Sequence, residues 1–469
     1  MTDPSMNPLG LLPELLLLAG AVACLLTGSF VAQDRQWVSR LIAVVALVGS
    51  GIAAVVAFAG PVLSLYTGSY AADGLTAAGR IIVAVSALLV IGLGVDELAG
   101  TERESETYTL ILLASLGAVV LAGTTSLLVL AVGFLLASIP LYALIGMQRT
   151  RLGAEAAMKT YLMGAFTGIA LLLGVTMLYG LAGTSRYSDL GTLAGAPVAA
   201  VAAGLAGVLA GLMFKAGAVP AHFWVPDAAQ GASTTAAAFA TTVPKIGGFL
   251  ALFRLLTVLP TTIDWPLLVA LLAAVTMTLG NLAAYPQTDA RRLLGWSTVS
   301  QAGYLLMPVA VAGSVPAAVP ALVVYLAGYA VSNLTAFAVV GALPTRPALS
   351  DYTGVARGHP WLAVGLVVAL LSLVGTPPTA VFLGKLAVFT VAWDGGFWWL
   401  TVAAAVNTVI SLFYYLRWIG PAFRAPEVGA PSSGLGSDGD PAAPWATATT
   451  LAGALLILVI GVGAGTLGG

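Results

Sequence analysis

The stretch FKAGAVPAHFWVPD, residues 214–227, places a lysine, a histidine and two prolines inside a largely apolar segment. A second stretch, SLVGTPPTAVFLGK at residues 372–385, again combines glycine, two prolines and a lysine. Both contain the pattern G-x-x-P, at Gly217–Pro220 and Gly375–Pro378. Proline breaks a helix, and in lipid such breaks are tolerated only where protein or water satisfies the freed backbone groups. Paired breaks indicate a transporter built from inverted repeats, although two proline kinks without a function are the alternative.

The composition of the 469-residue chain points to lipid as its solvent. Hydrophobic residues make up 59% and charged residues 8%, and the mean hydropathy is +1.00, whereas a soluble domain carries about 25% charged residues. The net charge of −1 leaves no basic excess for binding nucleic acid. One cysteine, Cys24, and two histidines, His222 and His359, exclude disulfide frameworks, Cys-ligated iron–sulfur clusters and His/Cys zinc sites. We therefore expect no cofactor, metal or redox centre in this chain.

Apolar segments long enough to cross a membrane recur along the chain. A helix needs about 20 apolar residues to cross the hydrocarbon core. The sequence therefore predicts an all-α polytopic membrane protein with about fourteen transmembrane helices. The predicted spans are 8–31, 37–60, 79–95, 107–124, 126–147, 157–182, 195–217, 232–258, 265–285, 291–312, 317–342, 360–394, 398–421 and 444–467.

The predicted spans divide the chain into five parts. Residues 1–106 hold helices 1–3, residues 107–258 form a first five-helix repeat, and residues 265–421 form a second one. The broken helices are then helix 7 and helix 12, at matching places in the two repeats. Because five spans per repeat is an odd number, the second repeat must be inverted in the membrane. The segment 425–443, rich in glycine, serine and proline, is predicted to be a flexible linker to the C-terminal helix 444–467.

The arginines predict the orientation in the membrane. Of the fourteen arginines, Arg80, Arg186 and Arg254 fall at even-numbered connections between spans, and the other eleven fall at odd-numbered ones. Positively charged residues accumulate in cytoplasmic loops. We therefore expect a protein of the cell membrane with its odd connections in the cytoplasm and both termini outside.

The four lysines are distributed differently, because all lie within, or at the start of, apolar spans. Arginine stays charged, whereas a desolvated lysine can lose its proton. Lys159 has Glu155 one helical turn before it, which favours a structural ion pair. Lys215, Lys245 and Lys385 have no acid within one helical turn. For these three, proton exchange is favoured over the alternatives of snorkelling or ion pairing.

Short motifs are spread over both predicted repeats. They are SIPLY at 138–142, EAAMK at 155–159, FK at 214–215, PAHFWVPD at 220–227, MTLGN at 277–281, RRLLGWS at 291–297, QAGY at 301–304, GTPP at 375–378, and Asn407 leading to YYLR at 414–417. Together they resemble the antiporter-like membrane subunits of respiratory complex I, from the first helix to about Arg424. The resemblance implies fourteen helices in two inverted five-helix repeats.

The resemblance also implies a function in proton pumping by NADH–quinone oxidoreductase. By resemblance, Lys215 on helix 7 and Lys245 on helix 8 are the central proton-relay residues, and Lys385 on helix 12 is their exit-side counterpart. Other membrane subunits are implied as partners, with flavin, iron–sulfur clusters and quinone held by other subunits. Lysine rather than glutamate on helix 12, and no room for extra C-terminal helices, favour the N type over the M and L types. A subunit of a sodium/proton antiporter or of a membrane hydrogenase is the alternative.

Two positions depart from the family pattern. Leu135 occupies the place of the helix-5 glutamate that pairs with the helix-7 lysine, and Gln301 stands where family members often carry histidine. We expect Leu135 to face Lys215, so that either protons follow a modified route or the chain is a non-pumping scaffold. His222 and Asp227 follow the helix-7 break and either line a proton path or cap helix ends.

Overall fold

A computed structural model describes residues 7–260, 263–425 and 441–466, and this part of the chain is almost entirely helical. The α-helices are α1 (Leu12–Phe30), α2 (Trp37–Phe58), α3 (Gly74–Leu98), α4 (Glu104–Gly123), α5 (Leu127–Gly146), α6 (Arg151–Ala182), α7 (Val198–Ala216), α8 (Trp224–Gly231), α9 (Thr234–Val258), α10 (Trp265–Ala284), α11 (Ala290–Ala310), α12 (Ala318–Ala342), α13 (Val355–Gly358), α14 (Pro360–Val374), α15 (Ala380–Asp394), α16 (Trp398–Phe423) and α17 (Pro444–Thr466). Short 3-10 helices cover Pro8–Leu11, Gln33–Arg35, Tyr187–Gly195 and Leu349–Tyr352. The predicted all-α class is confirmed.

Each predicted span coincides with a helix or with a pair of short helices. Within the described residues, twelve helices are long and apolar enough to cross a membrane. The predicted span 291–312 appears as α11, which is not among the twelve, and the span 360–394 appears as α14 and α15. These two helices have 15 residues each, about 22 Å, so neither alone crosses a hydrocarbon core of about 30 Å. The count of fourteen and the inverted repeats stay predictions.

The two predicted helix breaks are present. The first break separates α7, which matches the predicted span 195–217, from the short helix α8 that follows it, and the second separates α14 from α15 within the predicted span 360–394. At the first break Gly217 ends α7 with a φ of 66°, and at the second Gly375 ends α14 with a φ of 90°. Only glycine adopts this left-handed conformation without steric cost, and in it the backbone N–H turns back onto the last helical carbonyls. Both half-helices therefore end inside the bundle with their final turns satisfied.

The helix α9 lies at the centre of the molecule. Its most apolar part is entirely buried, and α12 and α4 are the next most buried of the long apolar helices. By contrast, α1 and α2 bury only a third or less of their most apolar part. A helix that is buried on all sides has no amphipathic pattern. The lysine of α9 is therefore enclosed by other helices. The predicted linker 425–443 lies almost entirely outside the described residues.

A small β-hairpin between α2 and α3 was not expected from the sequence. The strands β1 (Leu63–Leu65) and β2 (Tyr70–Ala72) pair antiparallel. The hydroxyl of Tyr70 donates to Glu14 Oε1 over 2.5 Å, and Arg80 binds both oxygens of that carboxylate over 2.8 Å. This buried group of residues fixes the hairpin to α1 and α3.

Candidate functional site

Lys215 lies in the last turn of α7, directly before the break. Its side chain is 1% exposed, and its Nζ donates to Ser138 Oγ on α5 over 2.5 Å. The ring of Phe134, one turn earlier on α5, lies 4.9 Å from the ammonium nitrogen, and a cation is attracted to such a ring face. Neutral groups of α5 therefore replace the carboxylate that normally accompanies a buried amine.

Lys245 lies at the middle of α9 and points at the same break. It is 1% exposed, and its Nζ lies 3.5 Å from the carbonyl oxygen of Thr298. A Cβ built on Gly217 would lie 2.7 Å from Lys245 Nζ, so the ammonium fills the space over this glycine. On the same helix, a Cβ on Gly248 would lie 2.8 Å from Lys215 Cγ. Each of the two lysine side chains thus packs against a glycine near the α7 break, Lys245 against Gly217 and Lys215 against Gly248.

Lys385 occupies the corresponding place beside the second break. It lies on α15, is 3% exposed, and donates from Nζ to the carbonyl of Val374 over 2.8 Å and to Thr408 Oγ1 over 3.1 Å. Val374 is the last residue of α14, and a cation at a helix C-terminus is stabilised by the helix dipole. The ring of Tyr304 lies 4.2 Å from the same nitrogen. Within the described residues, no carboxylate forms an ion pair with Lys215, Lys245 or Lys385.

Polar groups on one face of α11 lie between the two lysine positions. Thr298, Gln301 and Tyr304 follow one another at three-residue spacing, which places them on one side of the helix. The Thr298 carbonyl faces the lysine of α9. The hydroxyl of Tyr325 donates to Gln301 Oε1 over 2.5 Å, and Gln301 Nε2 donates to the Leu373 carbonyl over 2.9 Å. Gln301 is therefore buried and hydrogen-bonded through both its amide oxygen and its amide nitrogen.

The α11 face continues to the second lysine. The hydroxyls of Tyr304 and Thr408 lie 3.1 Å apart, and Thr408 is itself bonded to Lys385. Tyr304 appears in the QAGY motif, and the three-residue spacing of polar residues in an apolar helix was a signal that could have indicated it. Thr408 lies 23 residues after its lysine on another helix, and no local pattern marks it.

The fourth lysine has different surroundings. Lys159 is 45% exposed at its side chain and pairs with Glu155 Oε1 over 2.6 Å and with Asp227 Oδ2 over 2.8 Å. Arg292 of α11 binds the other oxygen of Asp227 over 2.6 Å. The helical pair expected from the sequence is thus present within a larger network. Asp227, on α8, joins α6 to α11 through these two cations.

Comparison with known proteins identifies the family. The family described as NADH:quinone oxidoreductase/Mrp antiporter, TM, matches residues 124–411, which include both breaks and the three buried lysines. NADH-quinone oxidoreductase subunit N of Mycobacterium sp. (strain JLS) is 53% identical over 467 residues, covering 99% of this chain and 98% of that relative. The chain belongs to the subunit N family of NADH-quinone oxidoreductase. The resemblance inferred from the motifs is confirmed.

Solved structures agree with this assignment of the subunit N family. A chain in respiratory complex I from Thermus thermophilus with bound Aureothin has a TM-score of 0.82 and 33% identity, with 97% of this chain and 98% of that chain covered. A chain of the Mrp complex from Dietzia sp. DQ12-45-1b has a TM-score of 0.86 at 23% identity, covering 100% and 96%, and this likeness concerns the fold alone. The protein is thus an antiporter-like membrane subunit of a multisubunit complex.

Leu135, which departs from the family pattern, does not point in the expected direction. Leu135 is 39% exposed, and its neighbours at helical spacing, Val132 and Ile139, are exposed as well. Successive residues of an α-helix are rotated by about 100° around its axis. Phe134 and Ser138 lie on the face of α5 that meets the α7 lysine, and Leu135 is therefore turned away from that lysine. The expectation that Leu135 faces Lys215 is wrong. The alignment of a motif fixes the position of a residue along a helix but not the face that meets a given partner.

His222 follows the first break and is 2% exposed. Neither ring nitrogen makes a hydrogen bond of acceptable geometry to the described residues. Its imidazole lies between the rings of Phe223 and Trp296, at centroid distances of 4.2 and 5.7 Å. A buried polar group normally has a partner, so His222 has the surroundings of a residue that binds water. Capping of a helix end is not supported for it.

Proposed function

We propose that this chain is the proton-translocating subunit N of an NADH-quinone oxidoreductase in the cell membrane, with both termini outside. Electron transfer takes place in other subunits of the complex, which hold flavin, iron–sulfur clusters and quinone, and this chain carries no redox centre. Protons move through Lys215, Lys245 and Lys385. Neighbouring membrane subunits of the same complex are its partners.

The contrast between the lysines carries this proposal. Three are buried beside helix breaks and are bonded to hydroxyls and carbonyls, whereas Lys159 is exposed and bonded to two carboxylates. A buried amine without a carboxylate can release its proton without leaving an unpaired buried anion. Arginine could not do so, because it keeps its proton. The residue type and the surroundings both suit proton exchange rather than permanent ion pairing.

The proposed route runs from the first break to the second along the polar groups of α11. A proton held at Lys215 can pass to Lys245, since both side chains lie beside the α7 break. From there the hydroxyl and amide groups of Thr298, Gln301 and Tyr304 on α11 lead to Lys385, with waters completing the chain where direct bonds are absent. A change of charge at one lysine alters the free energy of protonating the neighbouring lysine, because charges interact more strongly in a low-dielectric interior. Moving one proton across the whole membrane against a potential of 100 mV costs about 2.3 kcal/mol.

Entry from the cytoplasm is assigned to His222 and Asp227. The arginine distribution places α8 and the start of α6 at the cytoplasmic side. His222 lies in the segment between the break and α8, and Asp227 with Lys159, Glu155 and Arg292 forms a charged rim. Water bound by His222 would connect this rim to the buried amines.

Alanine substitution of each lysine tests the proposal. Lys215→Ala, Lys245→Ala and Lys385→Ala should each lower NADH-driven proton uptake by membrane vesicles at least about tenfold, a change that corresponds to about 1.4 kcal/mol. Assembly should persist, because removal of a buried charge relieves a desolvation cost. Lys159→Ala is the matched control and should pump nearly as the wild type does. Normal pumping in all three variants would refute the relay and leave a scaffolding function.

A further inference from the structure

The helices α3 and α9 are matched in length and lie antiparallel. Each has 25 residues, or about 37 Å. The C-terminal end of α3 contacts the N-terminal end of α9 through Glu97, and the N-terminal end of α3 contacts the C-terminal part of α9 through Asp73. The helix that carries Lys245 is thus held at both ends by one helix from outside the predicted repeats.

At one end, Glu97 completes the cap of α9. Its Oε1 accepts the backbone N–H of Thr234 over 2.9 Å, and its Oε2 accepts the N–H and the hydroxyl of Thr235 over 2.8 and 2.6 Å. Ser233 Oγ accepts the next N–H, from Ala236, over 3.1 Å. The first N–H groups of a helix have no partner within the helix, and a carboxylate there also meets the positive end of the dipole. Glu97 therefore ties α9 to α3 by charge as well as by hydrogen bonds.

At the other end, Asp73 holds Arg254. The Arg254 Nη2 lies 2.5 Å from Asp73 Oδ1 and 2.7 Å from Thr76 Oγ1, and its Nε donates to the Ala122 carbonyl over 2.7 Å. Burial by itself raises the pKa of Asp73, but the hydrogen bond and charge of Arg254, together with the hydrogen bonds of Thr76, outweigh it and hold the pKa below its usual range. The Asp73 carboxylate therefore stays charged opposite Arg254 at neutral pH.

Between the two ends the helices approach closely. A Cβ on Gly94 of α3 would lie 2.5 Å from Thr235 Oγ1, and one on Gly79 would lie 2.6 Å from Leu250 Cδ1. Glycine at these two positions lets α9 lie directly on α3. A shift of α9 along its axis would bring the glycines out of register with the side chains that they accommodate.

Lys245 lies near the midpoint of this clamped helix, about 16 Å from its first residue. The residue before it, Pro244, has no backbone N–H to donate, so α9 lacks one helical hydrogen bond directly beside Lys245. The ammonium occupies the space that a side chain at Gly217 would fill, 2.7 Å from the position of an added Cβ. A slip by one residue, about 1.5 Å, would remove that fit.

We propose that Glu97 and the Asp73–Arg254 pair are positioning residues that hold Lys245 in register with the α7 break. The inference rests on the proposed function, since it assigns these residues to the lysine relay. According to this proposal, α3 holds α9 at a fixed position along its axis while the charges of the relay lysines change.

The matched comparison is between two neighbouring carboxylates of α3. Asp96 Oδ2 accepts the backbone N–H groups of Trp445 and Ala446 over 2.9 and 3.0 Å, so it caps α17 as Glu97 caps α9. In the whole complex, Glu97→Ala should lower proton uptake per assembled complex about twofold to thirtyfold, the range that loss of a helix cap produces in an equilibrium constant. Asp96→Ala should leave pumping at the wild-type level. If Glu97→Ala does not assemble, Glu97→Gln keeps one acceptor oxygen and should show an intermediate loss.

The opposite end of α9 is tested by conservative rescue. Asp73→Asn keeps the cap of α3 but removes the charge opposite Arg254, and it should lower pumping as Arg254→Gln does. Arg254→Lys keeps the cation and should restore most of the pumping. Equal pumping in Glu97→Ala, Asp96→Ala and the wild type, or equal loss in Glu97→Ala and Asp96→Ala, would overturn the positioning function. Normal pumping in a parallel Lys245→Ala variant would instead show that the relay itself is wrong.

Discussion

Substitution of Gly217 by alanine tests the contact between the first break and the lysine of α9. Gly217 has a φ of 66°, and an added Cβ would lie 2.7 Å from Lys245 Nζ, 3.1 Å from its Cε and 2.9 Å from Val225 Cγ2. The end of a lysine side chain can move at little cost, so the variant should fold and assemble. Its ammonium group, however, must leave the break.

The magnitude follows from these distances. Non-bonded carbon atoms prefer about 3.5–4.0 Å, so Lys245 Nζ must retreat by about 1 Å. A misplacement of about 1 Å can cost 10²-fold in a positioned reaction, and we expect a loss of proton uptake of at least about tenfold. The left-handed backbone adds roughly 1–2 kcal/mol of strain. Gly183, with a φ of 68° and nothing within 4 Å of an added Cβ, would carry the same strain without the collision.

The assay is NADH-driven proton uptake by inverted membrane vesicles, measured with a pH-sensitive dye and normalised to the amount of assembled complex. Gly217→Ala should lose most of its pumping, and Gly183→Ala should keep it. Equal pumping in the two variants would refute the reasoning, because backbone strain alone would then account for both.

Three further outcomes are expected. Gly375→Ala, whose Cβ would lie 2.8 Å from Lys385 Cδ at a φ of 90°, should reduce pumping, whereas Gly396→Ala, at a φ of 85° with open space around it, should not; similar rates in both would contradict the assigned contact. Leu135→Glu should lower the amount of assembled complex without raising pumping, because the carboxylate would face outward without a partner; a gain in pumping would oppose this. In a chain without Cys24, Ser433→Cys should be labelled by an impermeant thiol reagent only from the cytoplasmic side, and labelling from outside intact cells would reverse the topology.

The fold and the principal residues follow from features that are local in sequence. Glycine and proline within an apolar segment in lipid indicate a break, and a lysine inside such a segment stands out because the arginines lie at or near the span ends. Lys215, Lys245 and Lys385 could therefore be predicted without a structure. The family motifs added the order of the helices.

The partners of these lysines could not be predicted, because they come from distant parts of the chain. Ser138 and Lys215 are 77 residues apart, and Glu97 caps a helix that begins 137 residues later. Hydroxyls and backbone carbonyls are too common for their type to single them out. The outward face of Leu135 was missed for a related reason, since α5 is apolar around its whole circumference and carries no periodicity that would orient it.

Replacement of Lys245 by arginine tests the central claim most directly. Arginine keeps a positive charge at the α7 break but does not release its proton, so it separates proton transfer from the presence of a cation. The measurement is the number of protons moved per NADH oxidised by the purified complex in proteoliposomes. Lys245→Arg should assemble and should lose most of this proton movement, as Lys245→Ala does. Proton movement at the wild-type ratio in Lys245→Arg would contradict the account, because a residue that cannot deprotonate would then suffice.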